Sequence, residues 1–320
     1  MTGLAGGFKH IWSVFAGTGA GAPLFDKLEI LLALARERHF GRAAESCGVT
    51  QPTLSAGLKQ LEESLGVLLV NRGSRFQGFT PEGERVLEWA RRIVGDTRAM
   101  RQEVEALQHG LVGRLRIAVI PTALTMVASL TTPYRAKYPE VQFTVWSRTS
   151  TEILTLLENL EVDAGITYLD NEPLGPLTTV PLYNERYHLL TAANAPLGNR
   201  NTVTWAEVAK VPLCLLTPDM QNRRIIDGLL RTASSESRPK LESDSMILLC
   251  SHVRTGQWAS IMPATIAETL GLTDTIRTIP IVEPDIMQRV GLVTLAREPM
   301  TPLTNALLVE ARRIAAQIVD

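Results

Sequence analysis

Gln51, Thr53, Ser55 and Lys59 accompany Leu54, Leu58, Leu61 and Leu65, which recur at helical spacing. A helix that buries those leucines turns an amide, two hydroxyls and an ammonium to its other side. That is the chemistry of reading base edges in a major groove: glutamine pairs with adenine through two hydrogen bonds, and hydroxyls serve either base. Thr50 is a suitable N-cap for such a helix, and Pro52 in its first turn forfeits no hydrogen bond. Cations to hold phosphates are close in the chain: Lys59 itself, Arg42, Arg72 and Arg75, with Arg85 beyond.

The remaining reactive residue types form no catalytic constellation. There is no GxSxG, no HExxH and no Walker loop. His10, His39, His109, His188 and His252 are scattered without metal-ligand spacing, so no metal and no cofactor is expected. Asp163 reads as a polar residue at a strand entry, and Arg297 with Glu298 as a solvated turn. Cys47, Cys214 and Cys250 are far apart and odd in number, which argues against a disulfide framework and for a reducing cytoplasm. A redox switch using Cys214 and Cys250 is an alternative; its weakness is that both sit on apolar stretches, whereas a sensing thiol needs exposure and a nearby cation. No apolar run approaches the roughly 18 residues that span a bilayer, so no membrane partner is expected.

Positioning the polar helix requires a helical unit around it. Asp26 can cap a first helix whose buried face is Leu28, Leu31, Leu32 and Ala35. A second short helix begins near Gly41, with Ala43 and Ala44 small enough for a close crossing, and Gly48 makes the turn into the third. The run FGRAAESCGVTQPTLSAGLKQLEESLGVLLVNR, residues 40–72, resembles the N-terminal signature of LysR-type transcriptional regulators. The resemblance extends from about Phe25 to the C-terminus. Two positions depart from it: Ala56 stands where many relatives carry Arg, which puts one DNA contact in doubt, and Val70 stands where Phe is usual.

Residues 71–79 (NRGSRFQGF) are polar, basic and glycine-containing, as a β-hairpin wing on the phosphate backbone would be. Thr80, Pro81 and Glu82 signal a helix start, and the helix reaches about Gln108 before Gly110 stops it. Val86, Ala90, Ile93, Thr97, Met100, Val104 and Leu107 are spaced alternately by four and three, a heptad seam with one polar interruption. That predicts a dimer, hence an inverted-repeat site on double-stranded DNA, and the resemblance implies that further contacts between sensor lobes build a tetramer. RNA polymerase is a further expected partner.

Beyond residue 111 the order of elements is strand, helix, strand, helix, strand over 115–120, 125–138, 141–146, 151–160 and 164–168, which implies a parallel sheet with right-handed crossovers. A second half follows, with strands near 187–191, 213–217 and 259–262 and helices near 225–230, 246–255 and 265–270. A last strand at 290–295 and a last helix at 304–318 end the chain. The resemblance implies two lobes of periplasmic-binding-protein type, hinged near Leu189 and Val290. The expected architecture is therefore an all-α winged helix-turn-helix, a long linker helix and a two-lobed α/β effector domain. Its division is an extension over 1–24, DNA-binding domain 25–80, linker and dimerisation helix 81–110, and effector domain 111–320, with lobe I taking 111–188 and 290–320 and lobe II 189–289.

In a parallel α/β sheet, ligands bind outside the carboxyl ends of the strands. Those ends carry Thr122, Ser150, Thr151, Tyr168 and Thr217, with Gln221 and Asn222 just beyond. Ser150 or Thr151 is expected to cap the second helix and aim its dipole at a small anionic effector; Arg223 and Arg224 either add charge or face solvent. Residues 164–174 and 212–227 are similar to regulators encoded beside formate dehydrogenase operons. Two other functions compete. A solute-binding protein would need a signal peptide in residues 1–24 and no helix-turn-helix. The glycines at 17, 19 and 21 are followed by Pro23 and not by a nucleotide-binding βαβ unit. An enzyme of the same shape would need a general base at a strand end, where no His or Lys falls. The net charge of -1 hides a local basic footprint on a larger neutral sensor.

Overall fold

The structure is a computed structural model that describes residues 23–71, 73, 75–170, 173–233, 238–271 and 275–318. The extension expected over residues 1–24 lies almost wholly outside the described residues, as does Arg72. The described chain forms two compact units. One holds residues up to 104 together with 158–160; the other holds 105–157 and everything from 161.

The first unit opens with three helices, α1 (Leu24–Glu37), α2 (Phe40–Ser46) and α3 (Gln51–Leu65). Helix α1 starts two residues before Asp26, with Pro23 at the N-cap position and no side-chain cap. Asp26 is thus not the cap; it is a first-turn acid, favourable to the helix dipole. Leu28, Leu31 and Leu32 of α1 are buried as their spacing requires, Ala35 at the end of the expected face is only half-buried, and Ala43 and Ala44 of α2 are buried in the same unit. Gly48 has a φ of 69°, the left-handed value that the turn into α3 demands. In α3, Leu54, Leu58 and Leu61 are buried, but Leu65 is 45% exposed. It is the last helical residue. The left-handed Gly66 cap then turns the chain, and Leu69 takes the next place in the core.

Among the described residues of the wing, an antiparallel bridge joins Val70 to Phe79, with Asn71 N–H donating to Gly78 O at 3.0 Å. Glu62 of α3 accepts the N–H groups of Leu69 and Val70, which ties the wing's base to α3. Phe76 and Phe79 stack edge-on beneath it, and Phe76 meets Phe40 of α2. Helix α4 (Pro81–His109) follows. Thr80 caps it, its hydroxyl accepting from Gly83 N–H at 2.9 Å. Leu87, Ala90, Val94 and Ala99 are buried, and Arg98 and Arg101 reach back to Glu29 and the Phe25 ring of α1.

The second unit contains two sheets, one per lobe, and a small parallel pair. Strands β1 (Gly113–Val119), β2 (Val141–Ser147) and β3 (Ala164–Tyr168) pair in parallel, as the alternation of elements required. Helices α5 (Val127–Lys137) and α6 (Ser150–Glu158) connect them, with a 3-10 turn over Pro121–Met126 before α5. Gly165 allows α6 to pack directly on β3: a Cβ there would lie 2.4 Å from Ile153 Cγ2. Strand β4 (Leu177–Arg186) is absent from the sequence-based reading, because Pro181 and a broken alternation disguise it. It occupies the sheet edge, where a proline costs no ladder bond.

The chain leaves the first sheet at Tyr187 and enters the second with β5 (His188–Ala192). The second sheet has the order β6 (Val203–Thr204), β10 (Ile276–Val282), β5, β9 (Ser260–Met262). Four-residue α7 (Trp205–Val208) and α10 (Ala264–Thr269) complete its surroundings. Strands β7 (Cys214–Leu216) and β8 (Leu241–Ser243) pair in parallel beside it, flanked by α8 (Gln221–Ala233) and α9 (Met246–Val253). Strand β11 (Met287–Leu295) then returns antiparallel between β3 and β4, and α11 (Pro302–Ile318) closes the first lobe. The crossings therefore fall at Tyr187 and between Val282 and Met287, a few residues before the expected Leu189 and Val290. Leu189 is already inside β5, and Val290 is well inside β11.

Candidate nucleic-acid interface and effector cleft

Helix α3 presents Gln51, Pro52, Thr53, Ser55 and Lys59 to solvent on the side away from its buried leucines. Thr50 caps it: its hydroxyl accepts from Thr53 N–H at 3.4 Å and shares a 2.9 Å hydrogen bond with the Thr53 hydroxyl. The Thr53 hydroxyl is thereby engaged in the cap, while Gln51 and Ser55 flank it on the exposed face. Lys59 lies 3.5 Å from Glu63 one turn on, a weak exposed pair that a phosphate can replace. Arg42 is exposed but tethered, donating to the Glu37 carbonyl at the end of α1 at 2.7 Å. Arg75 is exposed in the wing. His39, read from sequence as an isolated histidine, has a definite role, since its Nδ1 accepts from Gly41 and Arg42 N–H and caps α2. A single histidine before a short helix carries no sequence signal for that.

On α4 the expected seam splits between two faces. Ala90 is fully buried in its own unit and Val86 is half-buried, whereas Ile93, Met100, Val104 and Leu107 are exposed, Leu107 by 83%. Trp89, absent from the expected set, lies one turn before Ile93 and is 58% exposed. Ala90 leaves the seam because α4 must also roof its own helical unit, and the small residue serves that contact.

In the second unit, the seven residues placed at strand ends do not share one surface. Thr122, Tyr168 and Asn222 come together, fully buried: the Tyr168 hydroxyl shares a 3.1 Å hydrogen bond with Thr122 and accepts from Asn222 Nδ2 at 3.2 Å. It donates in turn to Oε1 of Glu185. Gln221 Nε2 donates to the Asp170 carbonyl at 3.1 Å. These bonds run from α8 of the second lobe to β3 of the first. Thr217 is half-buried just before α8, its hydroxyl unpartnered. Ser150 is buried and meets Arg224 Nη2 at 3.4 Å, another bond between lobes. Thr151 faces solvent. Neither caps α6. Thr149 does, in a reciprocal box: its hydroxyl accepts from Glu152 N–H, and the Glu152 carboxylate accepts from Thr149 N–H. The Thr-x-x-Glu spacing is a readable capping-box signature.

Arg223 neither lines a ligand site nor faces solvent. It is buried, donating to Leu216 O, Asp227 and Glu242, and so fastens α8 to β7 and β8. Asp163 pairs with Arg116 through both carboxylate oxygens, a strand-entry brace.

Glu185 is the residue that sequence reading missed altogether. Burial pushes its carboxyl up to about 7 despite the hydrogen bond from Tyr168, and its Oε2 has no donor. It points inward because of a β-bulge. Val290 of β11 pairs with Tyr183, but the next residue, Gly291, pairs with Pro181, so Leu182 is supernumerary. The bulge re-phases β4: Val180 and Leu182 point to the core before it, Glu185 after it.

An open cleft of ≈ 490 Å³ lies beside this cluster. Pro121, Leu124, Arg148, Thr149 and Glu152 form its first-lobe wall, and Asp219, Met220, Asp244 and Met246 face them from the second. The cleft edge thus carries one cation and three carboxylates among hydroxyl-bearing and apolar residues. The two cysteines near it in the chain, Cys214 and Cys250, are buried in one core; Cys214 donates to the carbonyls of Leu249 and Ala259, and burial pushes its thiol up to about 11. Among the described residues no group of three or more His, Cys, Asp or Glu is placed to hold a metal ion, and no helix is long and apolar enough to cross a membrane.

Residues 25–84 match the family model for bacterial regulatory helix-turn-helix proteins of the lysR family, and residues 108–315 match that for the LysR substrate binding domain. The DNA-binding transcriptional dual regulator OxyR of Escherichia coli K12 is 28% identical over 274 residues, 85% of this chain and 90% of that protein. A full-length OxyR variant of Pseudomonas aeruginosa has a TM-score of 0.69 at 24% identity, covering 91% of this chain and 99% of that one. CbnR complexed with its target DNA has a TM-score of 0.58 at 21% identity, covering 91% of this chain and all of that one. At these identities the structural likeness is one of fold.

Proposed function

The chain belongs to the LysR family of DNA-binding regulators with an effector-binding domain, and on that premise we propose how its two sites work together. Gln51, Thr53 and Ser55 of α3 read base edges, while Arg42, Lys59, Arg72 and Arg75 hold the backbone. Two copies joined along the exposed stripe of α4 place two such helices on an inverted repeat. The observation that carries the reading is the capped, solvent-facing polar side of α3 in the same chain as a two-lobed unit with an open cleft.

The effector reading is more specific than an anion alone. Arg148 offers a guanidinium to an anionic end, and Asp219 and Asp244 across the cleft favour hydrogen-bond donors at the other end. A small carboxylate or oxyanion that also carries a donor group fits that edge. Its binding draws the lobes together and shifts the population of regulator conformations on DNA. Formate dehydrogenase genes as targets are a narrower reading, supported by the likeness of residues 164–174 and 212–227 alone.

Several relatives, that of Escherichia coli O157:H7 among them, are named hydrogen peroxide-inducible genes activators. A peroxide-reactive cysteine works as a thiolate. Burial raises the pKa of Cys47, Cys214 and Cys250 alike, which favours the bound-ligand reading over oxidation at these thiols. The test is anisotropy of the full chain on fragments of its own upstream region, with thermal-shift titration of small carboxylates and other oxyanions in parallel. Specific binding to an inverted repeat, altered by a ligand that also raises the melting temperature, supports the proposal. Absence of sequence preference at any salt concentration sinks it.

A further inference from the structure

Glu185 sits where the two lobes meet, sealed from solvent, with one carboxylate oxygen unpartnered. Its link to the second lobe is a directed chain: Asn222 Nδ2 donates to the Tyr168 hydroxyl, which donates to Glu185 Oε1. Among the described residues, the titratable groups facing it are phenols, Tyr168 from β3, Tyr183 from β4 and Tyr187 just past its end, and all three are pushed up by burial and by the carboxylate. Basic side chains nearby in the chain are committed elsewhere: Arg186 to Asp285, Arg223 to Asp227 and Glu242, Arg289 to Asp170. Its cross-strand neighbour on β11 is Gln288, which is uncharged.

We propose that Glu185 is a proton-binding site that couples lobe closure to pH, the closed form taking up one proton and the open form releasing it. An undonated carboxylate oxygen in a dry pocket without a facing cation disfavours the anion. Separating the lobes removes Asn222 and Gln221 from the mouth of that pocket and admits water to Tyr168 and Glu185. Hydration stabilises the anion, so ionisation and opening favour each other. The raised carboxyl is in keeping with this. By linkage, closure is strongest at acid pH, and the regulator's equilibrium shifts toward the open form as pH rises to about 7. The inference concerns the lobes and the proton only, so it stands or falls independently of which ligand fills the cleft.

Hydrogen–deuterium exchange of the full chain without effector tests it, after correction for base-catalysed exchange. The opening equilibrium read at residues 218–226 should rise roughly tenfold from pH 5.5 to 7 in the wild type, given an open-state carboxyl near its usual value. E185Q should stay closed and flat across that range. N222A keeps the carboxyl but loses a neutral donor between lobes, so its opening should be higher throughout and rise with pH as in the wild type. A wild-type profile that E185Q reproduces, or a wild-type opening that does not change over that range, overturns the proposal. Should E185Q fail to give a native near-ultraviolet circular dichroism spectrum, the N222A profile decides, and a flat one overturns the proposal.

Discussion

At Gly83 a Cβ would stand 2.0 Å from the carbonyl oxygen of Leu69, so the first turn of α4 can lie against the wing's base only with glycine there. Gly83→Ala must push rigid backbone aside, and overpacking of this kind costs about 1–3 kcal/mol; thermal unfolding of the variant should show the loss. Gln51→Ala, on an exposed face, should leave stability unchanged and relax base preference by about 1–3 kcal/mol at one position of each half-site, measured by competition with substituted operators. Glu185 has a stability signature of its own. Its folded carboxyl is raised from 4.5 to about 7, so its contribution is fully present below the unfolded value and is lost as pH climbs through 7. The wild type should lose about 2–4 kcal/mol relative to E185Q between pH 4.5 and 7.5, a difference read from denaturant midpoints. The side chain is fully buried, so solvent screening does little to reduce that figure.

Helix α4 has two apolar faces with different roles. Leu87, Ala90, Val94 and Ala99 roof its own unit; Trp89, Ile93, Met100, Val104 and Leu107 are left exposed in a line of four- and three-residue steps, with Asp96 and Thr97 interrupting it. An exposed stripe at that period calls for a second helix. Ile93→Asp should therefore split the dimer without unfolding the protomer, because the side chain lies outside the protomer's core. Sedimentation at low micromolar concentration checks this, and a dimeric Ile93→Asp protein would move the seam elsewhere. Helix α8 also serves two purposes. Arg223 clamps it to β7 and β8 of its own lobe, while Gln221, Asn222 and Arg224 in the same turn reach the first lobe. A helix anchored by one buried guanidinium and touching the opposite lobe through three neutral-partner hydrogen bonds can keep its place while those bonds open.

For the whole molecule, among the described residues the chain crosses between the two sensing lobes at Tyr187 and again between Val282 and Met287. Two short crossings permit a hinge motion, and a cleft with polar walls gives a ligand the means to drive it. A ligand present at a hundred times its Kd should add about 2.7 kcal/mol to the apparent stability of the full chain. Arg148→Ala should remove most of that gain for an anionic ligand while leaving the unliganded melting temperature unchanged, since the Arg148 side chain is exposed and its guanidinium donates to its neighbour's carbonyl, Ser147 O. A ligand that stabilises both proteins equally would place the site away from this wall.

Local chemistry in the sequence determined a large part of this architecture. The buried faces of α1 and α3, the Thr50 and Thr80 caps and the Gly48 turn depend on contacts within a few residues. Whereas the four-three rhythm of α4 holds only in part, the structure has Leu28, Leu31, Leu32, Leu54, Leu58 and Leu61 buried, both caps made and Gly48 left-handed. The same holds for the parallel β1–β3 core, whose apolar runs alternate with helices. What failed was whatever depends on distant partners. Leu65 lost its place to Leu69 because a left-handed glycine turned the chain, and Ala90 left the seam because α4 had a second surface to cover. Strand β4 was hidden by Pro181, which is tolerable only at the sheet edge it occupies. Tertiary structure alone decided that Thr122, Tyr168 and Asn222 would be spent on one another between the lobes, and that Glu185 would join them. One supernumerary residue in β4 reverses which side chains face inward, and its position is set by the pairing with β11, a strand more than a hundred residues away in the chain.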